Sequence, residues 1–170
     1  FLNELPLTYA GQLIAMRPQV SKTLAAAIAE VGCLDACREL VDNTGADIAR
    51  ISLRRICERH GNDGEFRQRM LADARLPADC RVSLVKQHGQ ALSELTIVRS
   101  LIGQSRAERV TQDACMRSCL AVVDDAEPAE YDALVEHLRL SGDLTTGFVI
   151  RTLAYGKIHF LSAILCALAE

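Results

Sequence analysis

The sequence contains no tryptophan, and Phe and Tyr together make up only 4% of its 170 residues. With so little ring surface available, the core is expected to be aliphatic, built from Leu, Ile, Val and Ala. Proline is also scarce, with four residues, and the ten glycines fall mostly singly, as punctuation rather than as linkers. No apolar run approaches the roughly 18 residues that would cross a bilayer, and no secretory segment is present. The expectation is therefore a soluble, cytoplasmic protein with no membrane partner. The formal net charge of −3 gives the whole chain no electrostatic case for nucleic acid. No phosphate-cradling glycine loop, nucleophile elbow or His-Glu zinc motif occurs. Nor does apolar–polar alternation persist long enough to indicate a strand.

Amphipathic helices make up the rest. Pro6 or Thr8 opens a first helix with Leu7, Ala10, Leu13 and Ile14 on its apolar face, ending before Pro18. Pro18 suits the first turn of a second helix, in which Val20, Leu24, Ala27, Ile28 and Val31 recur at helical spacing. Gly32 closes it, and a partner follows from Cys33 to Asn43 with Leu34, Cys37, Leu40 and Val41 inward. Asp47 begins the pattern again: Ile48, Ile51 and Ile56 face inward, Gly61 closes the helix, and Phe66, Met70 and Leu71 anchor its partner. Pro77 starts a third round with Val82 and Val85 inward and Leu84 flanking. Gly89 closes this helix, and the next buries Leu95, Val98, Leu101 and Ile102. Gly32, Gly61 and Gly89 thus recur every 28 to 29 residues, and His60-Gly61 and His88-Gly89 repeat as a dipeptide. A helix–turn–helix unit of this period indicates stacked antiparallel hairpins, an α-solenoid of the HEAT or armadillo type or a superhelical bundle. The expected organisation is one helical-repeat domain over residues 1–170. Its repeats cover about 18–44, 47–75 and 77–103, and C-terminal helices occupy 105–170. Because the chain begins at Phe1 rather than Met, it is expected to be part of a longer one.

After Gly103, Ser105-Arg106-Ala107-Glu108 has the form of a capping box and opens a long helix to about Val123. Asp124-Asp125-Ala126-Glu127-Pro128 breaks it, and Tyr131, Leu134, Val135 and Leu138 mark the next apolar face. Thr145 can cap a short helix, with Leu144 and Val149 at hydrophobic-staple spacing and Gly156 at its end. The final segment, Ile158 to Ala169, has no Asp, Glu, Lys or Arg. Its stripe Ile158, Leu161, Leu165 and Leu168 and a second face with Phe160, Ile164 and Ala167 predict a central core helix. The alternative is a helix covered in part by another subunit or domain, the first of these a route to a homo-oligomer.

Leu144-Thr145, Phe148-Val149-Ile150-Arg151, Leu153, Gly156-Lys157, Phe160, Ala163, Leu165 and Leu168-Ala169 together resemble an uncharacterised alphaproteobacterial family. That family is a domain of unknown function with repeats similar to HEAT repeats. Leu76-Pro77 and Ala91-Leu92-Ser93 are also similar to its style. The resemblance implies an all-α, HEAT-like fold in a soluble bacterial protein, and it implies no activity and no cofactor.

Candidate chemistry is sparse. The seven cysteines follow helical spacing in odd number, which argues against a disulfide framework. Cys33/Cys37 and Cys115/Cys119 are i,i+4 pairs that could each supply half a zinc site. They are read instead as reduced, buried apolar residues. His60 and His88 precede glycines, where a partly cationic ring suits a helix C-terminus. His137 is nearest in position to a phosphotransfer histidine, though that role is not favoured. Arg50, Arg54, Arg55 and Arg59 share a broad helix face, with Arg67 and Arg69 on the next helix. This is either a solvated outer face or an anion- or partner-binding patch. Catalytic, cofactor and metal sites are not expected. The expected role is a protein–protein interaction scaffold or regulatory module. The alternative is a nucleic-acid or phosphate-binding module that uses the arginine face.

Overall fold

A computed structural model describes residues 7–169, which leaves Phe1 and Pro6 outside the described residues. Among them the chain is all-helical, with eleven α-helices and one 3₁₀ turn. It divides into two compact units, one ending at Cys80 and the other beginning at Arg81.

The first unit holds α1 (Leu7–Ala15), α2 (Lys22–Val31), α3 (Leu34–Asp42), α4 (Arg50–His60) and α5 (Gly64–Ala72). Helix α1 packs on α3, and α2 packs on both α3 and α4. The buried side of α2 is Ala25, Ile28 and Ala29, while Leu24, Ala27 and Val31 are exposed. This corrects the expected face. The helix is rotated so that Ala25 and Ala29, one turn apart, are buried with Ile28 between them, and its larger Leu24 and Val31 are left outside. On α4 the same correction applies: Leu53, Ile56 and Cys57 are buried and Ile51 is exposed. Leu13 and Leu71, expected inward, are also exposed. Val20 lies before α2 rather than in it. It forms an isolated parallel bridge with Ala46, which the helical spacing alone did not anticipate. Asn43 secures this corner, its amide donating to the carbonyls of Ala15 (2.7 Å) and Arg17 (2.6 Å).

The second unit contains most of α6 (Ala78–Glu94), then α7 (Thr96–Ile102), α8 (Gln104–Asp125), a 3₁₀ turn at Pro128–Glu130, α9 (Tyr131–Leu140), α10 (Thr146–Ala154) and α11 (Ile158–Ala169). Gly89 lies inside α6, so the third glycine-closed hairpin is not formed. A Cβ at Gly89 would stand 2.5 Å from Cys115 Sγ and 3.0 Å from Thr111 Cγ2 on α8. Glycine is there to admit a neighbouring helix, not to end its own. Helix α6 stops five residues later, at Glu94, and Arg99 Nε of the next helix donates to the Ser93 carbonyl. Leu84, expected to flank, is fully buried, and Val85 only partly so. None of α7 is buried, so Leu95, Leu101 and Ile102 are exposed rather than internal.

Beyond Gly103, the boundaries read at Thr145 and Gly156 form as expected, and the one at Ser105 does not. Thr145 Oγ1 accepts from the Phe148 amide (3.2 Å) and starts α10. Gly156, at φ +70°, ends it. The Gly156 amide donates to Leu153 O and the Lys157 amide to Thr152 O, which is a Schellman closure. Gly142 (φ +72°) closes α9 in the same way, through Arg139 O and Leu138 O. The capping box at Ser105 is not formed. Helix α8 starts one residue earlier, at Gln104, after Gly103 turns the chain at φ +78°. Ser105 then sits within the first turn, and Gln104 pairs with Glu108 instead.

The expectation of a purely aliphatic core also needs correction. Phe66, Phe148 and Phe160 are the largest fully buried side chains among the described residues. Phe160 meets Tyr131 edge-to-face at 5.3 Å and Phe148 at 6.5 Å. Few rings are present, but they occupy the centres. Helix α11 is not a central core helix. Phe160 and Ile164 are buried, whereas Ile158, Leu165 and Leu168 are more than half exposed.

Several ionisable groups tie stability to pH. Burial, with Arg59 beside it, pushes His60 below its ordinary 6.5. The hydrogen bond from Arg55 lowers Glu30, the Phe66 amide lowers Asp63, the bond from Arg151 lowers Asp113, and that from Arg139 lowers Glu136. Groups depressed on folding stabilise above their unfolded values and lose that effect as pH falls through the folded ones. Burial raises Cys37 to about 11 and Cys119 to about 12, and a raised group stabilises below its unfolded value of 9.0 and loses this as pH rises. The urea midpoint should therefore hold level between about pH 6.5 and 9 and decline on both sides. A midpoint that rises below pH 6 would contradict these assignments.

Candidate functional site

The arginines singled out on α4 are engaged within the first unit. Arg54 pairs with Asp79, whose side chain is almost fully buried. Arg55 binds both carboxylate oxygens of Glu30 (2.8 and 2.9 Å). Arg59 donates to the carbonyls of Ala29 (2.7 Å) and Gly32 (2.8 Å). Ala29 lies in the last turn of α2 and Gly32 is its C-cap, so Arg59 caps that helix end from a neighbouring helix. Arg67 does the same for α4. It is buried and donates to Gly61 O at 2.9 Å. Arg69 pairs with Asp42, and Arg50 is exposed and also has an interaction of its own. The spacing that suggested an anion patch is largely that of a set of clamps holding α2, α3, α4 and α5.

Within the second unit, α6, α8, the end of α9 and the start of α10 enclose a cavity of about 340 Å³. That is near the lower limit for small-molecule sites. Val82, Met116, Cys119, Leu138 and Phe148 supply apolar wall, and Lys86, Gln90, Glu108, Gln112, Asp143 and Thr145 supply polar groups. The charges are mostly spent internally: Lys86 pairs with Asp143 at 2.7 Å, and Ser141 Oγ bonds Asp143 as well. The two thiols on this wall are unsuited to nucleophilic work. Burial raises both, Cys119 to about 12, so the thiolate is scarce near neutral pH.

The i,i+4 cysteine pairs have separate surroundings. Cys37 Sγ is buried against Ile28 O, and Cys115 Sγ lies 3.9 Å from Val85 O. All seven cysteines are free thiols. His60 ends α4 as expected, but burial, with Arg59 beside it, lowers it below its ordinary 6.5 and so works against a cationic ring there; the ring lies edge-on to Phe66 at 6.2 Å. His88 is exposed within α6, because the helix does not stop at Gly89. His137 lies in the last turn of α9 and is half-buried.

Two surfaces of the second unit stand out. One is the exposed apolar surface of α10 and of α11, where Ile150 and Leu153 on the first and Ile158, Leu165 and Leu168 on the second are each at least half exposed. The two helices pack on each other, yet both keep large aliphatic side chains in water. The other is the outside of α8, with Arg106, Arg109, Val110, Asp113 and Arg117 on the side away from the cavity wall. Arg117 (2.6 Å) and Arg151 both clasp Asp113. No described residue pairs with the side chains of Arg106 or Arg109. Sequence reasoning fixed on the denser arginine run of α4 and passed over this one. The signal was present in the 4-3-4 spacing of residues 106, 110, 113 and 117, which places them in one line on a helix.

The model of the family described as "Uncharacterised protein conserved in bacteria (DUF2336)" matches residues 11–170. No curated protein and no solved structure matches the chain.

Proposed function

The chain belongs to this family of uncharacterised proteins conserved in bacteria, and on that premise we propose that it is a protein-interaction module. The observation that carries the reading is the exposed stripe of α11. Ile158, Leu165 and Leu168 lie along one side of a helix with no charged residue between Ile158 and Ala169, and all three are more than half exposed. Burying a leucine is worth about 1.5–3 kcal/mol. A helix that leaves several such side chains in water on a face its own unit does not cover is suited to a partner surface. Ile150 and Leu153 of α10, the helix packed on α11, are exposed as well. The HEAT-like reading is supported by helix packing that skips a neighbour: α1 on α3, α2 on α4 and α9 on α11. This is the pattern of stacked hairpins.

The test is Leu165→Glu/Leu168→Glu. Wild-type and variant proteins are compared by light scattering for self-association, and as baits from the same bacterial lysate. The variant is expected to fold, since both side chains are exposed, and to lose either the dimer or a specific captured protein. If oligomeric mass and captured set are the same for both baits, the reading fails.

A further inference from the structure

The outside of α8 carries a line of mostly charged residues around one exposed valine. Residues 106, 110, 113 and 117 repeat at 4-3-4 spacing over about 17 Å, three turns of helix. The line carries Arg106, Val110, Asp113 and Arg117, and Arg109 and Ala114 flank it. Val110 is 55% exposed, so the one branched aliphatic in the line stands in water. Such a line can face a neighbouring helix along its length: Val110, with Ala114 beside it, offers the apolar contact, and the charged members can choose the partner.

The charge at this face is one-sided. Asp113 is already shared by Arg117 and Arg151, and among the described residues Arg106 and Arg109 have no carboxylate of their own. Four guanidiniums thus face a single carboxylate, on a chain whose net charge is −3. The excess is local, on a surface of about three helical turns. A flat polyanion would be answered by arginines alone. The apolar Val110 and Ala114 among them call for a partner that brings its own apolar seam.

We propose that the outer face of α8 docks an acidic amphipathic helix from a partner protein, with aliphatic side chains over Val110 and Ala114 and carboxylates against Arg106 and Arg109. This rests on the interaction-module reading but concerns a different surface from α11, so Leu165→Glu/Leu168→Glu should leave it unchanged.

The experiment uses the full chain and a fluorescent designed helix of about 20 residues, with leucines at heptad seam positions and glutamates flanking them. Its analogue with lysine in place of glutamate is the control. Binding is followed by anisotropy at low and raised salt. The acidic helix should bind at least about tenfold tighter than the lysine analogue. Its affinity should fall with salt, and at least about tenfold with Arg106→Glu/Arg109→Glu or with Val110→Asp. Circular dichroism confirms that the variants fold. The proposal is overturned if both helices bind alike, or if the α8 variants bind the acidic helix as well as wild type does. It is equally overturned if phosphatidylglycerol vesicles or duplex DNA bind in an Arg106/Arg109-dependent way while the acidic helix does not. Failure here with a positive α11 result would leave the interaction-module reading standing on α11 alone.

Discussion

Replacing Phe160 by alanine should remove about 3–5 kcal/mol from the stability of the second unit. Phe160 is 1% exposed and is the ring that Tyr131 and Phe148 both meet edge-on. It therefore joins the 3₁₀–α9 corner, α10 and α11. The cost has two parts: lost transfer of a ring from water, and a cavity that three helices cannot all close at once. Edge-to-face contacts add about 0.5–1.5 kcal/mol beyond area. Phe160→Leu keeps most of the volume and should cost distinctly less. Hydrogen exchange across α9, α10 and α11 is the suitable readout, because it reports local opening free energies. A loss under about 1 kcal/mol for alanine would mean that this cluster is not packed as described.

Gly89→Ala carries the second large effect, and its sign is the informative part. Inside an exposed helix this change should stabilise by about 1 kcal/mol, since alanine is the better helix former. Here the new methyl would lie 2.5 Å from Cys115 Sγ and 3.0 Å from Thr111 Cγ2. Cys115 is itself held against Val85 O, so it does not swing aside freely. The net expectation is a loss of about 1–3 kcal/mol, the range for overpacking. Cys115→Ala removes the nearer obstacle, and the double variant should recover part of the loss. A coupling of about 1 kcal/mol or more in the double-mutant cycle, read from urea midpoints, would confirm the contact. A stabilising Gly89→Ala would show that α6 and α8 do not approach this closely.

Gly89 also shows where sequence reading stops. Gly32 and Gly61 do end helices, α2 and α4, and their spacing made a third terminus at Gly89 a fair extrapolation. A glycine that ends a helix and one that admits a neighbour look alike in sequence, because the second reason lies on a residue 26 positions away. The terminal segments were more legible. The Thr145 cap and the Gly156 closure depend on side chains and φ angles within one turn, so local spacing sufficed. Faces were legible only where a helix had one dominant apolar side. Helix α3 matched, with Cys37, Leu40 and Val41 buried. Helix α2 is apolar nearly all round, so spacing alone did not say which side, that of Ala25, Ile28 and Ala29, would be buried. Arginine roles were the least legible. The guanidinium of Arg59 reaches carbonyls 27 and 30 residues earlier, and nothing in its own helix signals that.

The thiols have a practical consequence. Of the seven cysteines only Cys166 is exposed, and it sits on α11 beside the aliphatic stripe. A maleimide dye or spin label would find this position first, with the native sequence left intact. The last helix thus comes with its own attachment point, and loss of labelling in a mixture would mark when something has closed over it.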